Sequence, residues 1–194
     1  MRLRLDECTG FPYHIQIVWR QLESAFLCVD FGWRIFYFWG HIMIVTFCGH
    51  SQFIRTPQLE EAFVRLLEER IGDESAEFFF GGYGGFDEFA YQCGKCYQKE
   101  HPNTKLIFVT PYMTESYQKN HLCYNKGKYD GIVYPEIEDK PKRFAILYRN
   151  QWMVESADLV VAYVKHTFGG AYQTYRYAQK LQKEIVNLSS IEVS

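Results

Sequence analysis

From residue 43 onward, apolar positions follow two alternating rhythms. Ile44-Val45-Thr46-Phe47-Cys48 is an unbroken β-branched and aromatic run closed by Gly49, the pattern of a strand covered on both faces. Thr56-Pro57 then supplies an N-cap and a proline at the first helical position. Leu59, Phe63, Leu66 and Leu67 recur at helical spacing, with Glu and Arg between them, as far as Gly72. Glu77 to Phe80 reads as a second strand, the glycine cluster Gly81-Gly82-Tyr83-Gly84-Gly85 follows at once, and Phe86 to about Lys99 reads as a helix. A third strand spans Lys105 to Val109 and stops at Thr110-Pro111. Residues 112–130 are polar, Tyr-rich and aperiodic, a loop long enough to suggest function or mobility. Gly131 to Tyr134 is a short fourth strand, Lys142 to Ser156 a helix, and Leu159 to Val164 the cleanest strand of the chain. Gly169-Gly170 opens a last helix over Ala171 to Gln182, and Ile185 to Leu188 closes as a strand. Strands alternating with helices predict an α/β fold, a three-layer Rossmann-like sandwich with a mostly parallel sheet. Ile44–Cys48 and Leu159–Val164 are expected at its centre.

Residues 1–42 differ from the rest. They hold four Arg, no Lys and three of the four Trp, and Ala25 to Trp39 is strongly apolar. That run contains Asp30 and Arg34 and is shorter than the about 20 apolar residues of a membrane span. The expectation is an N-terminal extension over 1–42, with Met43 as the natural start, and an α/β domain over 43–194. The chain carries 21 Lys+Arg against 23 Asp+Glu, a net charge of −2. This balance argues against the field of a dedicated nucleic-acid binder, so no nucleic acid is expected as a partner. With 47% apolar residues, disorder over most of the chain is excluded. Six cysteines in 194 residues are too sparse for a disulfide-stapled secreted domain, which points to a reduced, cytoplasmic protein. Aromatics reach 18%; such residues line ligand sites and fill cores alike.

Parallel sheets bind ligands at the carboxyl ends of their strands, where the strand order reverses. Four such ends carry glycine or small polar residues: Gly49-His50-Ser51, Gly81 to Gly85, Thr110-Pro111-Tyr112 and Gly169-Gly170. Glycine turns that lead into helices offer free N–H groups and a positive dipole end to phosphate, or they are simply tight turns. Asp87 is placed to accept from ribose hydroxyls or act as a general base, and equally to cap its helix, whereas Glu88 should face solvent. His50 is a contact or an acid–base group by its position, or a structural imidazole. Asp87 and His50 are the only catalytic candidates. Cys93-Gly94-Lys95-Cys96 falls two turns into its helix with no second pair to complete a zinc site, so it reads as core packing with one exposed thiol; no metal is expected. Arg143, Arg149 and Asn150 read as phosphate contacts or a solvated helix face, and Trp152 as core.

The segment Met43 to Leu188 resembles the SLOG superfamily of Rossmann-like domains and, within it, the YpsA-like family. The resemblance is carried by Thr46-Phe47-Cys48-Gly49-His50, by Phe80-Gly81-Gly82-Tyr83-Gly84-Gly85-Phe86-Asp87, and by Arg143 to Asn150. It continues through Ala157-Asp158-Leu159 to Val164, and Gly169-Gly170-Ala171 with Tyr177-Ala178. It implies a pocket for a nucleotide or NAD-derived, ADP-ribose-like ligand and brings no established reaction or fixed cofactor. The ligand-binding set it suggests is Gly49, His50, Gly81, Gly82, Gly84, Gly85, Asp87, Gly169, Gly170 and Thr174. The LOG phosphoribohydrolases of the same superfamily carry Pro-Gly-Gly-x-Gly-Thr-x-x-Glu with a catalytic Glu. The corresponding turn here is Phe168-Gly169-Gly170-Ala171-Tyr172-Gln173-Thr174-Tyr175-Arg176, without that glutamate. DprA, also of the superfamily, binds single strands, which the near-neutral charge disfavours here. The expected function is binding or sensing of such a ligand; the alternatives are hydrolysis of a nucleotide or NAD derivative, or a partner-binding protein with a vestigial pocket. A homo-oligomer is compatible with all three.

Overall fold

The computed structural model describes residues 42–117, 119–120 and 127–193. The expected N-terminal extension and part of the Tyr-rich loop lie outside the described residues. The strands are β1 (Met43–Gly49), β2 (Ala76–Phe80), β3 (Thr104–Val109), β4 (Gly131–Val133), β5 (Leu159–Tyr163) and β6 (Glu184–Asn187). The main helices are α1 (Pro57–Arg70), α2 (Gly85–Glu100), α3 (Ala145–Ser156) and α4 (Gly169–Lys180). All strand pairs are parallel, in the order β4-β3-β2-β1-β5-β6. The chain builds outward from β1 through β4, then returns to lay β5 against the other side of β1. The strand order therefore reverses between β1 and β5, with Val45 beside Leu159 and Gly49 beside Tyr163.

Alternation along the central strands divides the core into two layers. Val45 and Phe47 of β1, Phe78 and Phe80 of β2, and Leu159 and Val161 of β5 pack with the inner faces of α1 and α2. Ile44 and Cys48, Phe79, and Val160 and Ala162 pack on the other side with Met153 and Val154 of α3 and Ala178 of α4. This is a Rossmann-like three-layer sandwich. The aromatic richness of the chain goes largely into the first layer, where the rings of Phe47 and Phe80 stack at 4.8 Å. Burying a side chain of that size stabilises the fold by about 1.5–3 kcal/mol. Trp152 is half-buried and stacks on Phe79.

Local signals set the boundaries. Thr56 accepts from the Leu59 amide with Pro57 at the first helical position, so α1 starts where its cap dictates. Lys142–Phe144 forms a 3-10 turn before α3 rather than its first turn. The glycine pair Gly169-Gly170 belongs to the first turn of α4. Cys93 is buried and Cys96 exposed, and both thiols are free.

Candidate functional site

The turns after β1, β2 and β5 surround a cleft of about 1360 Å3 at the carboxyl end of the sheet, directly over the β1/β5 reversal. Of the residues expected there, Gly49, His50, Gly81, Asp87, Gly169, Gly170 and Thr174 line it. Gly82, Gly84 and Gly85 do not, because they serve the packing of their own turn. A Cβ on Gly82, whose φ is +69°, would lie 2.6 Å from the Phe108 ring. Gly84 and Gly85 lie against Ser51, whose carbonyl accepts from the Gly85 amide at 2.9 Å. The start of α2 is thereby strapped to the loop after β1. Gly49 lines the cleft but also makes room for Phe86, whose ring would be 2.4 Å from an added Cβ.

Arg149, in the middle of α3, is 2% exposed and is the largest fully buried side chain among the described residues. The reading of its helix face as solvated is corrected here: only Arg143 follows it and is exposed. The Arg149 guanidinium lies under Gly81, where a Cβ would come within 3.0 Å of Nη1. Nη1 donates to the carbonyls of Gly81 and Val109, each at 2.7 Å, and Nε donates to Asn150 Oδ1 at 2.8 Å. Asn150 in turn donates to Thr174 Oγ1 at 3.3 Å, and the Thr174 hydroxyl donates to the Gly170 carbonyl at 3.0 Å. One hydrogen-bonded chain thus joins the ends of β2 and β3, α3 and the first turn of α4. Among the described residues, Arg149 Nη2 has no hydrogen-bond partner, and Arg149 lines the cleft.

Asp87 is buried and accepts from the Gly81 amide at 3.3 Å and the Gly82 amide at 2.7 Å. Burial pushes its carboxyl up to about 6, against the opposing pull of Arg149 and the loop amides. Both oxygens are engaged by the glycine turn, so Asp87 shapes this wall of the cleft. Glu88 is exposed and pairs with Lys128 at 2.7 Å, a surface contact of small energetic weight. His50 Nε2 accepts the amides of Lys165 and His166, at 3.0 and 3.1 Å. That fixes the neutral tautomer with its proton on Nδ1, and burial and the neighbouring His166 lower its pKa. His50 therefore clamps the β5–α4 loop to the end of β1. The Cys48 thiol borders the cleft, but burial pushes it up to about 12, which leaves no thiolate for nucleophilic work.

The first turn of α4 has no side-chain cap, and Cβ atoms added at Gly169 or Gly170 would meet nothing within 4 Å. Gly169 has φ +85°, which explains its glycine. Gly170 has neither a left-handed φ nor a crowding neighbour. Among the described residues, no group of three His, Cys, Asp or Glu side chains gathers as a metal site would. No helix among them is long and apolar enough to cross a membrane.

No family model matches the chain. An uncharacterized SPbeta prophage-derived protein of Bacillus subtilis, YoqJ, is 26% identical over 139 residues, 63% of this chain and 81% of that protein. Among solved structures, DNA processing protein A (DprA) from Streptococcus pneumoniae matches with a TM-score of 0.50 at 16% identity over 74% of this chain. DNA processing protein A from Helicobacter pylori, which binds single-stranded DNA, matches with a TM-score of 0.49 at 23% identity over 74%. The chain spans 49% and 63% of those two proteins, respectively. The expectation that nucleic acid is excluded is corrected by this comparison: a DNA processing protein shares the fold, so the near-neutral net charge of the chain is no ground for exclusion. The likeness to the Streptococcus pneumoniae protein shows a shared Rossmann-like α/β fold.

Proposed function

We propose that the cleft binds a nucleotide or NAD-derived ligand, with its phosphate at the first turn of α4, and that the protein acts as a binding or sensing module without chemistry of its own. The observation that carries this reading is Gly170. Its missing side chain is required by neither backbone nor packing, and it opens the uncapped N–H groups of a helix to the cleft at the strand-order reversal. The buried Arg149 supports the same reading by supplying a permanent cation to the cleft. The likeness of the glycine turns to the YpsA-like family points the same way.

Hydrolysis is the second reading. It is favoured by one observation, a carboxyl at Asp87 raised to about 6, within the range where a general base works near neutrality. Against it stand the two amides that occupy that carboxylate. A thermal-shift screen of nucleotides, ADP-ribose-type compounds and single-stranded oligonucleotides, followed by chromatography of any hit after long incubation, tests both. Stabilisation by a nucleotide with no product supports the binding module. Product formation supports the hydrolase, and stabilisation by oligonucleotides alone overturns the small-ligand reading.

A further inference from the structure

We propose that Phe168 is a stacking platform, on which a flat heteroaromatic ring of the ligand lies while its phosphate meets the first turn of α4; the proposal rests on the nucleotide reading above. Phe168 is 71% exposed, an unfavourable position for a large apolar ring that serves only to join a strand to a helix. It is nevertheless held in place. Its ring stacks on His166 with centroids 5.4 Å apart and an interplanar angle of 15°. His166 lies 5.0 Å from His50, whose Nε2 accepts the amides of Lys165 and His166. A column of three rings therefore rises from the end of β1 and finishes in a ring with one face covered by imidazole and most of its surface open.

The position of Phe168 is as telling as its exposure. It is the residue immediately before Gly169-Gly170, at the N-cap of α4, and it borders the cleft. A ring stacked there would hold its attached phosphate beside the open first turn. Four of the seven exposed large apolar side chains among the described residues gather at one place, while Ile42, Phe144 and Leu181 lie elsewhere. Ile54, Tyr83 and Ile146 border the same cleft as Phe168. Below them lies the buried Arg149, with Nη2 free of hydrogen-bond partners among the described residues. An apolar mouth over the Arg149 guanidinium, with the nearby Asp87 carboxyl already held by the Gly81 and Gly82 amides, matches a ligand that is aromatic at one end and anionic at the other. Because His166 already fixes the Phe168 ring, stacking costs little additional ordering.

The test uses the full chain with two probes, fluorescent 1,N6-etheno-ADP and inorganic pyrophosphate. Wild type should bind both and quench the etheno fluorescence. Phe168→Ala should weaken etheno-ADP by about five- to tenfold, the lower part of the range for one base stacked on an aromatic side chain. It should also lose the quench and leave pyrophosphate affinity unchanged, while Phe168→Trp restores both affinity and quench. Circular dichroism of each variant checks the fold, which the exposed position leaves intact. Equal etheno-ADP affinity and quench in Phe168→Ala would overturn the platform while sparing the nucleotide reading. Binding of pyrophosphate but not etheno-ADP to wild type would overturn the platform and reduce the nucleotide reading to an anion site. Failure of wild type to bind either probe would overturn the reading of the cleft and the platform with it.

Discussion

Replacing Asp87 by Asn should change how stability depends on pH, and the sign separates two opposing forces at the site. Burial favours the neutral carboxyl; Arg149 and the glycine-turn amides favour the carboxylate. The guanidinium spends Nη1 and Nε on Gly81, Val109 and Asn150 and acts on Asp87 across space, so burial wins. The carboxyl titrates at about 6 in the folded chain against 3.8 ordinarily. Its favourable contribution is thus fully present below 3.8 and lost as the pH rises through about 6. At about 1.4 kcal/mol for each tenfold, that interval amounts to about 3 kcal/mol. Asn cannot ionise. The stability of wild type relative to Asp87→Asn should therefore fall by about 3 kcal/mol between pH values below and above this window. Urea unfolding of both proteins across the range measures it, and every other titrating group cancels in the difference. A difference that stays flat, or one that rises with pH as for a carboxylate held by its cation and amides, would refute the reasoning.

Gly170→Val should abolish binding of any nucleotide found by the screen while leaving the unliganded melting temperature nearly unchanged, because a Cβ at that position meets nothing within 4 Å; calorimetry and a melting curve check the two halves. Arg149→Met should destabilise the fold by about 3 kcal/mol, since it strips the donor from two carbonyls beneath the cleft, and urea midpoints would show it. The His50 clamp requires a neutral imidazole, and its folded pKa is lowered. Its contribution is fully present above the ordinary 6.5 and is lost as the pH falls through the lowered folded value. Hydrogen exchange at the Lys165 and His166 amides should accelerate on that descent in wild type, beyond the intrinsic change, and be fast at every pH in His50→Ala.

The architecture was legible because the central strands are continuous apolar runs whose alternate side chains feed opposite layers. Val45 and Phe47 face one layer, Ile44 and Cys48 the other. A parallel sheet also brings all its strand ends to one side, which is why turns scattered from Gly49 to Gly170 meet at one cleft. The boundary of α4 was less legible, since glycines disfavour helix and yet occupy its first turn. The solvated reading of Arg149 failed for a stronger reason. What buries it is remote: the carbonyls it satisfies lie 68 and 40 residues away. A signal was nonetheless present in its own helix. Ala145, Arg149 and Met153 fall at i, i+4 and i+8, and all three are buried. A cation on the apolar stripe of a helix is either a packing error or a paired, positioned charge.

The glycine turns teach the converse lesson, because in sequence they look alike and in space they do different work. Gly82 and Gly84 take left-handed φ values that other residues adopt at a cost. Gly49 and Gly85 admit a ring and a carbonyl that a methyl group would strike. Gly81 admits the guanidinium of Arg149. Each of these is explained by the chain itself, so none of them speaks for a ligand. Gly170 is left over, with an ordinary φ and empty space where its side chain would be. The density of glycine after β2 drew attention to that turn, yet the argument for a bound phosphate rests on the sparser pair after β5. Among the described glycines that line the cleft, Gly170 is the one that the protein's own structure does not need.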